Sequence, residues 1–185
     1  MAVAPSLSER SDTVRPENLT RLLIPSPIGV LGIELDGEIL TYVVIVPKGR
    51  ERRSFTAFSK VEQSEFLDEV LGRFSEYFAG ARRNLNLDYN LDSWKLDGFS
   101  RRVLRQAARI RYGDRRTYQQ IATSAGRPGA YRNVLAILIE NPLPIVIPCH
   151  RVTTAKSGVG SYIGGSRKKE WLLKMERREL VANRF

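Results

Sequence analysis

Apolar residues run along this chain in two rhythms. Between residues 21 and 46, RLLIPSPIGVLGIELDGEILTYVVIV, short β-prone runs alternate with turn residues. Ser26-Pro27 marks one turn. Asp36-Gly37, set between VLGIEL and ILTYVVIV, marks a hairpin. From residue 59 the period lengthens. SKVEQSEFLDEVLGRFSEYFAG (59–80) carries Phe66, Val70, Leu71, Phe74 and Phe78 at helical spacing, and Gly80 can end the helix. Residues 81–98 are polar and poorly periodic, a connection with room for one more strand. A domain boundary is expected near residue 90.

Beyond it the pattern is mainly helical. FSRRVLRQAARI (99–110) places Phe99, Val103, Leu104 and Ala107 on one face, and Tyr112-Gly113-Asp114 breaks the helix. TYQQIATSAG (117–126) opens on Thr117, an N-cap candidate with Gln120 three residues on, and stops at Gly126 and Pro128. AYRNVLAILIE (130–140) is a second short helix. EWLLKMERREL (170–180) is a closing amphipathic one, with Trp171, Leu172 and Met175 on one face. Two short helices joined by AGRPG fit a helix-turn-helix with the second as recognition helix. Any packed helical hairpin has the same pattern. The expected class is α+β: a polar mobile tail (1–19), an N-terminal α/β domain with a small antiparallel sheet (20–90) and a mainly helical C-terminal domain (91–185).

Charge separates the halves. Residues 1–100 carry 12 Lys+Arg against 15 Asp+Glu, net −3, whereas residues 101–185 carry 18 against 5, net +13. A half-chain this basic fits a polyanion, nucleic acid before an acidic membrane. A solvated basic face is the plain alternative. No run of about 18 apolar residues suggests a membrane span. The N-terminus lacks the basic-then-apolar layout of a secretory signal.

The chain has 1 Cys and 1 His, and they are neighbours, Cys149 and His150, at the end of the apolar run PLPIVIP. One cysteine excludes an internal disulfide and, with one histidine, a zinc site of soft ligands. A lone reactive thiol suits a reducing, intracellular location. Thiolate is the nucleophilic form of cysteine, and a base or positive field favours it. Any imidazole base here is His150. Adjacent side chains diverge on a helix or a strand, so contact would need a turn or a bridging water, and Pro148 makes a turn plausible. An inert buried pair remains an equal reading. Glu176, four residues from Leu172, borders the apolar face of the last helix. It could point inward to orient His150 or lie in solvent.

NPLPIVIPCHRV (141–152), with TYQQIA (117–122) before it and VGSYIGGSRKKEWLLKME (159–176) after it, resembles the O6-alkylguanine-DNA alkyltransferases. The Pro-Cys-His-Arg core, preceded by Asn-Pro and followed by Tyr-x-Gly-Gly at 162–165, is highly specific. The resemblance covers residues 92–176 well, and residues 20–90 only in style, as that family's variable, RNase H-like N-terminal domain. It implies direct-reversal DNA repair: one alkyl group moves irreversibly from guanine O6, with thymine O4 as a further candidate, to the protein's own cysteine.

By resemblance Cys149 is the acceptor, His150 acts on it through a water, Glu176 orients His150 and Asn141 braces the turn. Tyr118 serves guanine N3. Arg132 enters the base stack, with Thr117, Gln119, Tyr131 and Leu135 beside it facing DNA. Pro144, Val152, Val159, Tyr162 and Ile163 line the pocket. The partner implied is double-stranded DNA, held from the minor groove without sequence preference, by a monomer that needs no cofactor or metal and no membrane. Base flipping agrees, because the target atom is inside a duplex, and basic residues hold phosphates of any sequence.

The chain departs from the family in places. Leu135, Tyr131 and Ile139 are bulky where the family's recognition helix favours small residues, which suggests a lesion-sensing DNA binder that reacts poorly as an alternative. Ile163 stands where Ser is frequent. The zinc ligands of some members are absent, while Cys149 argues against a branch that lacks the acceptor. A cysteine hydrolase using Cys149 and His150 is the remaining alternative.

Overall fold

The structure, a computed structural model, describes residues 19–46, 65–155 and 158–182. The expected tail up to residue 18 and the first six residues of the expected 59–80 helix lie outside the described residues. The chain divides into two compact units between Lys95 and Leu96. Together they make a mixed α/β protein with a small antiparallel sheet.

In the N-terminal unit, β1 (Leu19–Ile24), β2 (Leu31–Asp36) and β3 (Ile39–Ile45) form an antiparallel sheet in sequence order. The Asp36-Gly37 signal is the β2–β3 turn, with Asp36 opposite Ile39 and Gly37 at φ 59°. Period-2 alternation sorts the two faces. Leu22, Ile33 and Val43 stand side by side across the strands, and Arg21, Glu34 and Tyr42 form the adjacent row. A register shift after Glu34 lets Thr41 turn its hydroxyl back to the Glu34 carboxylate at 3.0 Å.

Helix α1 (Glu65–Phe78) buries Leu67, Val70, Phe74 and Tyr77. This seam is rotated from the expected one: Phe66, Leu71 and Phe78 are only half-buried. Apolar residues flank the seam on both sides, so spacing alone could not choose its centre. Leu71 and Phe78 instead edge a groove of about 440 Å³ shared with Ile24 and Pro27. Gly80, at φ 77°, ends the helix as expected.

The segment 81–95 is less polar in effect than its composition. Leu85, Leu87, Leu91 and Trp94 are buried. In place of a further strand it adds isolated bridges, Tyr89 to Leu40 and another at Trp94. Trp94 donates its indole N–H to the Thr41 carbonyl at 3.0 Å and leans on Tyr42.

The C-terminal unit begins with α2 (Gly98–Ala108), capped by Asp97, whose carboxylate accepts from the Ser100 N–H at 2.6 Å. Phe99, Val103, Leu104 and Ala107 are its buried face, as the spacing predicts. Helix α3 (Tyr118–Ser124) carries the complete capping box: Thr117 Oγ1 accepts from Gln120 N–H, and Gln120 Oε1 from Thr117 N–H. Gly126 and Gly129, at φ 82° and 88°, turn the chain into α4 (Tyr131–Ile139). Two features carried no signal in the sequence. The two-residue strands β4 (Arg116–Thr117) and β5 (Val152–Thr153) pair in parallel. The last helix, α5, starts early and spans Ser166–Ala182. On it Leu172, Leu173 and Met175 are buried, whereas Trp171 is 36% exposed, so the expected face is turned by one residue. Among the described residues no helix is long and apolar enough to cross a membrane.

Candidate active site

The run from Asn141 to Pro148 folds into a tight buried loop rather than a strand. Prolines remove backbone donors at 142, 144 and 148, so the loop depends on Asn141. Its Oδ1 accepts from Leu143 N–H at 3.0 Å, and its Nδ2 donates to the Ile147 carbonyl at 2.9 Å. The same amide donates to Cys149 Sγ at 3.1 Å. Ile145 sits at φ 78°, a strained backbone for a β-branched residue. The loop ends in a 3-10 turn, Cys149–Arg151.

That turn answers the geometry of the Cys-His pair. Successive residues in it diverge by about 120°, so thiol and imidazole leave in different directions. Both are buried, Cys149 at 3% exposure and His150 at 0%. His150 Nε2 lies 3.0 Å from Glu176 Oε1, and Glu176 does turn inward. Its carboxylate also accepts from Arg151 Nε and Nη2 and, at 3.0 Å, from the Gly113 N–H. Burial pushes Glu176 up, but hydrogen bonds and charge from His150 and Arg151 outweigh it and leave the group at about 2. An ionised carboxylate only accepts. Nε2 therefore carries the ring hydrogen, and Nδ1 is the basic nitrogen. Burial, the largest influence, holds His150 below its ordinary value, so the ring is neutral at pH 7.

Burial pushes the Cys149 thiol up to about 11, against the opposing pull of the Asn141 hydrogen bond and the Lys169 charge. Lys169 is a site residue that the sequence did not single out. It lies in a basic run yet has 0% exposure. Its ammonium donates to Tyr118 Oη and the Ser161 carbonyl, both at 3.1 Å, and to the Val152 carbonyl. Burial lowers it to about 8. Tyr118, the first residue of α3, donates to the Ser161 carbonyl at 3.2 Å, and burial raises its phenol to about 12. Gly160 closes this side: a Cβ there would stand 2.7 Å from Tyr118 Oη. The spacing 169, 172, 173, 176 puts Lys169 on the inward stripe of α5 with Leu172, Leu173 and Glu176. That stripe was the signal available.

The remaining candidates divide by position. Tyr162 is buried, with its ring edge-on to His150 at 6.3 Å between centroids. Pro144 and Val152 are buried, and Val159 and Ile163 half-buried. On α4, Tyr131 and Arg132 are exposed in the first turn, and the guanidinium lies 5.8 Å from the Tyr131 ring. Leu135, one turn on, is half-buried. Gln119 is exposed, whereas Thr117 spends its hydroxyl on the capping box. The structure thus gathers Asn141, Cys149, His150, Glu176, Tyr118 and Tyr162 in the buried part of the unit and leaves Arg132 and Tyr131 on its surface. Among the described residues no group of three or more His, Cys, Asp or Glu could hold a metal ion.

Three comparisons bear on this arrangement. Residues 98–178 match the family model described as 6-O-methylguanine DNA methyltransferase, DNA binding domain. A methylated-DNA–protein-cysteine methyltransferase from Methanosarcina barkeri is 33% identical over 158 residues, 85% of this chain and 97% of the relative. The crystal structure of Mycobacterium tuberculosis O6-methylguanine methyltransferase superposes with a TM-score of 0.76 at 30% identity, covering 87% of this chain and 94% of that one. The crystal structure of Mycobacterium tuberculosis OGT in complex with DNA gives 0.74 at 31%, covering 85% and 92%. With a matching fold and 33% identity across 85% of its length, the chain belongs to the methylated-DNA–protein-cysteine methyltransferase family.

Proposed function

We propose that this protein repairs DNA by moving an alkyl group from O6 of guanine, or O4 of thymine, to Cys149, once per molecule. The observation that carries the reading is one three-residue turn holding a buried thiol beside a neutral imidazole fixed by Glu176. A thiol at about 11 is thiolate in only about one molecule in 10⁴ at pH 7. It therefore needs a base when substrate arrives.

His150 Nδ1 takes the thiol proton through a bridging water. The sulfur electron pair forms the new S–C bond, the C–O6 bond breaks, and its pair passes to the guanine. Tyr118 supplies a proton at guanine N3, and the Lys169 ammonium, donating to the same phenol oxygen, steadies the phenolate left behind. Asn141 holds the sulfur on line. Pro144, Val152, Val159, Tyr162 and Ile163 form the pocket for the flipped base, with no cofactor or metal.

We read α3 and α4 as a helix-turn-helix on the minor groove, with Arg132 filling the gap left by the flipped base and Thr117, Gln119, Tyr131 and Leu135 beside it. The exposed arginines of α2, Arg102 and Arg105, suit phosphate contacts. We read residues 20–90 as RNase H-like and 91–185 as the DNA-binding and alkyl-acceptor domain, in a cytoplasmic or nucleoid-associated monomer.

Incubation with O6-methylguanine duplex and weighing of the intact chain tests the reaction. The expected gain is one methyl group, lost in Cys149→Ala. Binding without a mass change would favour a lesion sensor, the reading that Leu135 on α4 suggests. Arg132→Ala is expected to slow repair of duplex far more than reaction with free O6-methylguanine base. Equal slowing would remove Arg132 from the flipping step.

A further inference from the structure

Glu176 serves two partners, the His150 imidazole and the Arg151 guanidinium, and the sharing is unequal. His150 makes one contact to it, at 3.0 Å. Arg151 makes three, Nε to both oxygens at 3.0 and 3.1 Å and Nη2 to Oε1 at 2.8 Å. Arg151 is itself 3% exposed, and its remaining fork nitrogen Nη1 donates to the Ile110 carbonyl at 2.7 Å. The guanidinium lies over Tyr112, 5.6 Å from the ring. Every side of Arg151 is thus engaged, and it is the residue directly after the base.

We infer that Arg151 is a positioning residue for the base: by neutralising Glu176 it stops the carboxylate from holding His150 protonated, so the imidazole waits uncharged for the thiol proton. This rests on the proposed role of His150 as base. A buried carboxylate facing a histidine alone would stabilise imidazolium, which has no lone pair with which to accept a proton. A second, permanent cation on the same carboxylate cancels that bias while leaving the hydrogen bond that fixes the ring. Arginine suits the task because it stays charged and its planar fork grips both oxygens.

The groups facing His150 are Glu176 and Lys169 from α5, Cys149 and Arg151 on its own turn, and the Tyr162 ring from the segment before α5. Of these only Glu176 raises the imidazole. Burial is the largest influence lowering it, and Arg151 and Lys169 lower it further by charge.

The chain has 1 histidine, so imidazole ¹⁵N NMR of the full-length protein reports His150 without assignment. In the native protein the ring is expected to stay neutral, with hydrogen on Nε2, to well below pH 6.5. In Arg151→Met the midpoint is expected to rise by about one pH unit or more. The acid limb of single-turnover alkylation by free O6-methylguanine base should rise with it. Arg151→Lys, which keeps the charge, is expected to retain a midpoint below 6.5. A native midpoint at or above 6.5 overturns the inference, as does a Met variant slowed equally at every pH with its midpoint unmoved. If the Met variant does not fold, the native protein and Arg151→Lys decide, and a Lys midpoint at or above 6.5 refutes it. Midpoints as expected with no alkyl group ever reaching Cys149 would instead sink the transfer reaction and leave the assignment of Arg151 standing.

Discussion

Each unit of this protein buries one glutamate against an arginine, and the two pairs are built to different ends. Glu34 sits in the middle strand of the sheet, 2% exposed, and takes Arg21 Nε at 2.7 Å and the Thr41 hydroxyl. Arg21 keeps 26% of its side chain in solvent, so the pair is half dissolved. Glu176 has no such outlet. Arg151 is 3% exposed and His150 0%, and a backbone N–H closes the remaining side. The first pair resembles a surface salt bridge tucked under a lip. The second removes three ionisable groups from water at once, which costs several kcal/mol per ion before contacts offset it. Stability alone does not call for such a cluster, since apolar residues of similar volume do as well or better. The proposed role of His150 as a neutral base held in a fixed pose does.

The sharpest way to break the comparison is to neutralise each carboxylate. Glu176→Gln leaves Arg151 buried without its counter-charge and gives His150 a neutral amide oxygen in place of the carboxylate. Urea unfolding at pH 7 is expected to show a loss of about 3–5 kcal/mol, and single-turnover alkylation by O6-methylguanine DNA to slow by about 10²-fold or more. Acid is the next lever. The folded-state value of Glu176, about 2 against an ordinary 4.5, means that its stabilisation is complete above about 4.5 and fades as pH falls toward 2. His150, depressed by burial, adds a loss with the same sign, beginning as pH drops below 6.5. Unfolding free energy should therefore decline from pH 7 to pH 3, by about 2 kcal/mol from Glu176 with the His150 loss added in the same direction, and the decline should be visibly flatter in Glu176→Gln.

Glu34→Gln is a smaller change, because Arg21 can turn to water and the amide can still bond Thr41. About 1 kcal/mol is expected, with the alkylation rate unchanged. A rate loss here would make the sheet part of the chemistry. Smallest of all is Lys174→Ala, which removes the exposed Lys174–Glu170 pair from the same helix as Glu176. Less than about 0.5 kcal/mol is expected by urea unfolding.

What the sequence disclosed follows from where local rules suffice. The Thr117–Gln120 box, the Asp36-Gly37 turn and the Phe99–Ala107 face are decided by neighbours within a few residues, and all three form. The scarcity of Cys and His made Cys149 and His150 visible. Residues chosen by the tertiary environment were harder to see. Trp94 and the leucines before it pass for a polar connection until Thr41 offers a carbonyl to the indole. Arg151 lay in plain view inside the motif, but its burial rests on the Ile110 carbonyl and the Glu176 carboxylate, both far along the chain. Lys169 resembled its less buried neighbours Arg167 and Lys168. Only the stripe it shares with Leu172 and Glu176 set it apart.

The smallest sheet in the molecule sets its finest tolerance. Thr117 pairs with Thr153 and Arg116 with Val152. Tyr118 follows directly on one side of this joint, and Cys149 lies just upstream on the other. The phenol and the thiol are thus gauged against each other by backbone register, a quantity that changes only in whole steps. Side chains around the pocket can adjust by fractions of an ångström without disturbing that gauge. A slip by one residue would turn every side chain over to the opposite face. The alignment is digital, kept or lost, and a protein that acts once, as proposed above, has no later turnover in which to correct it.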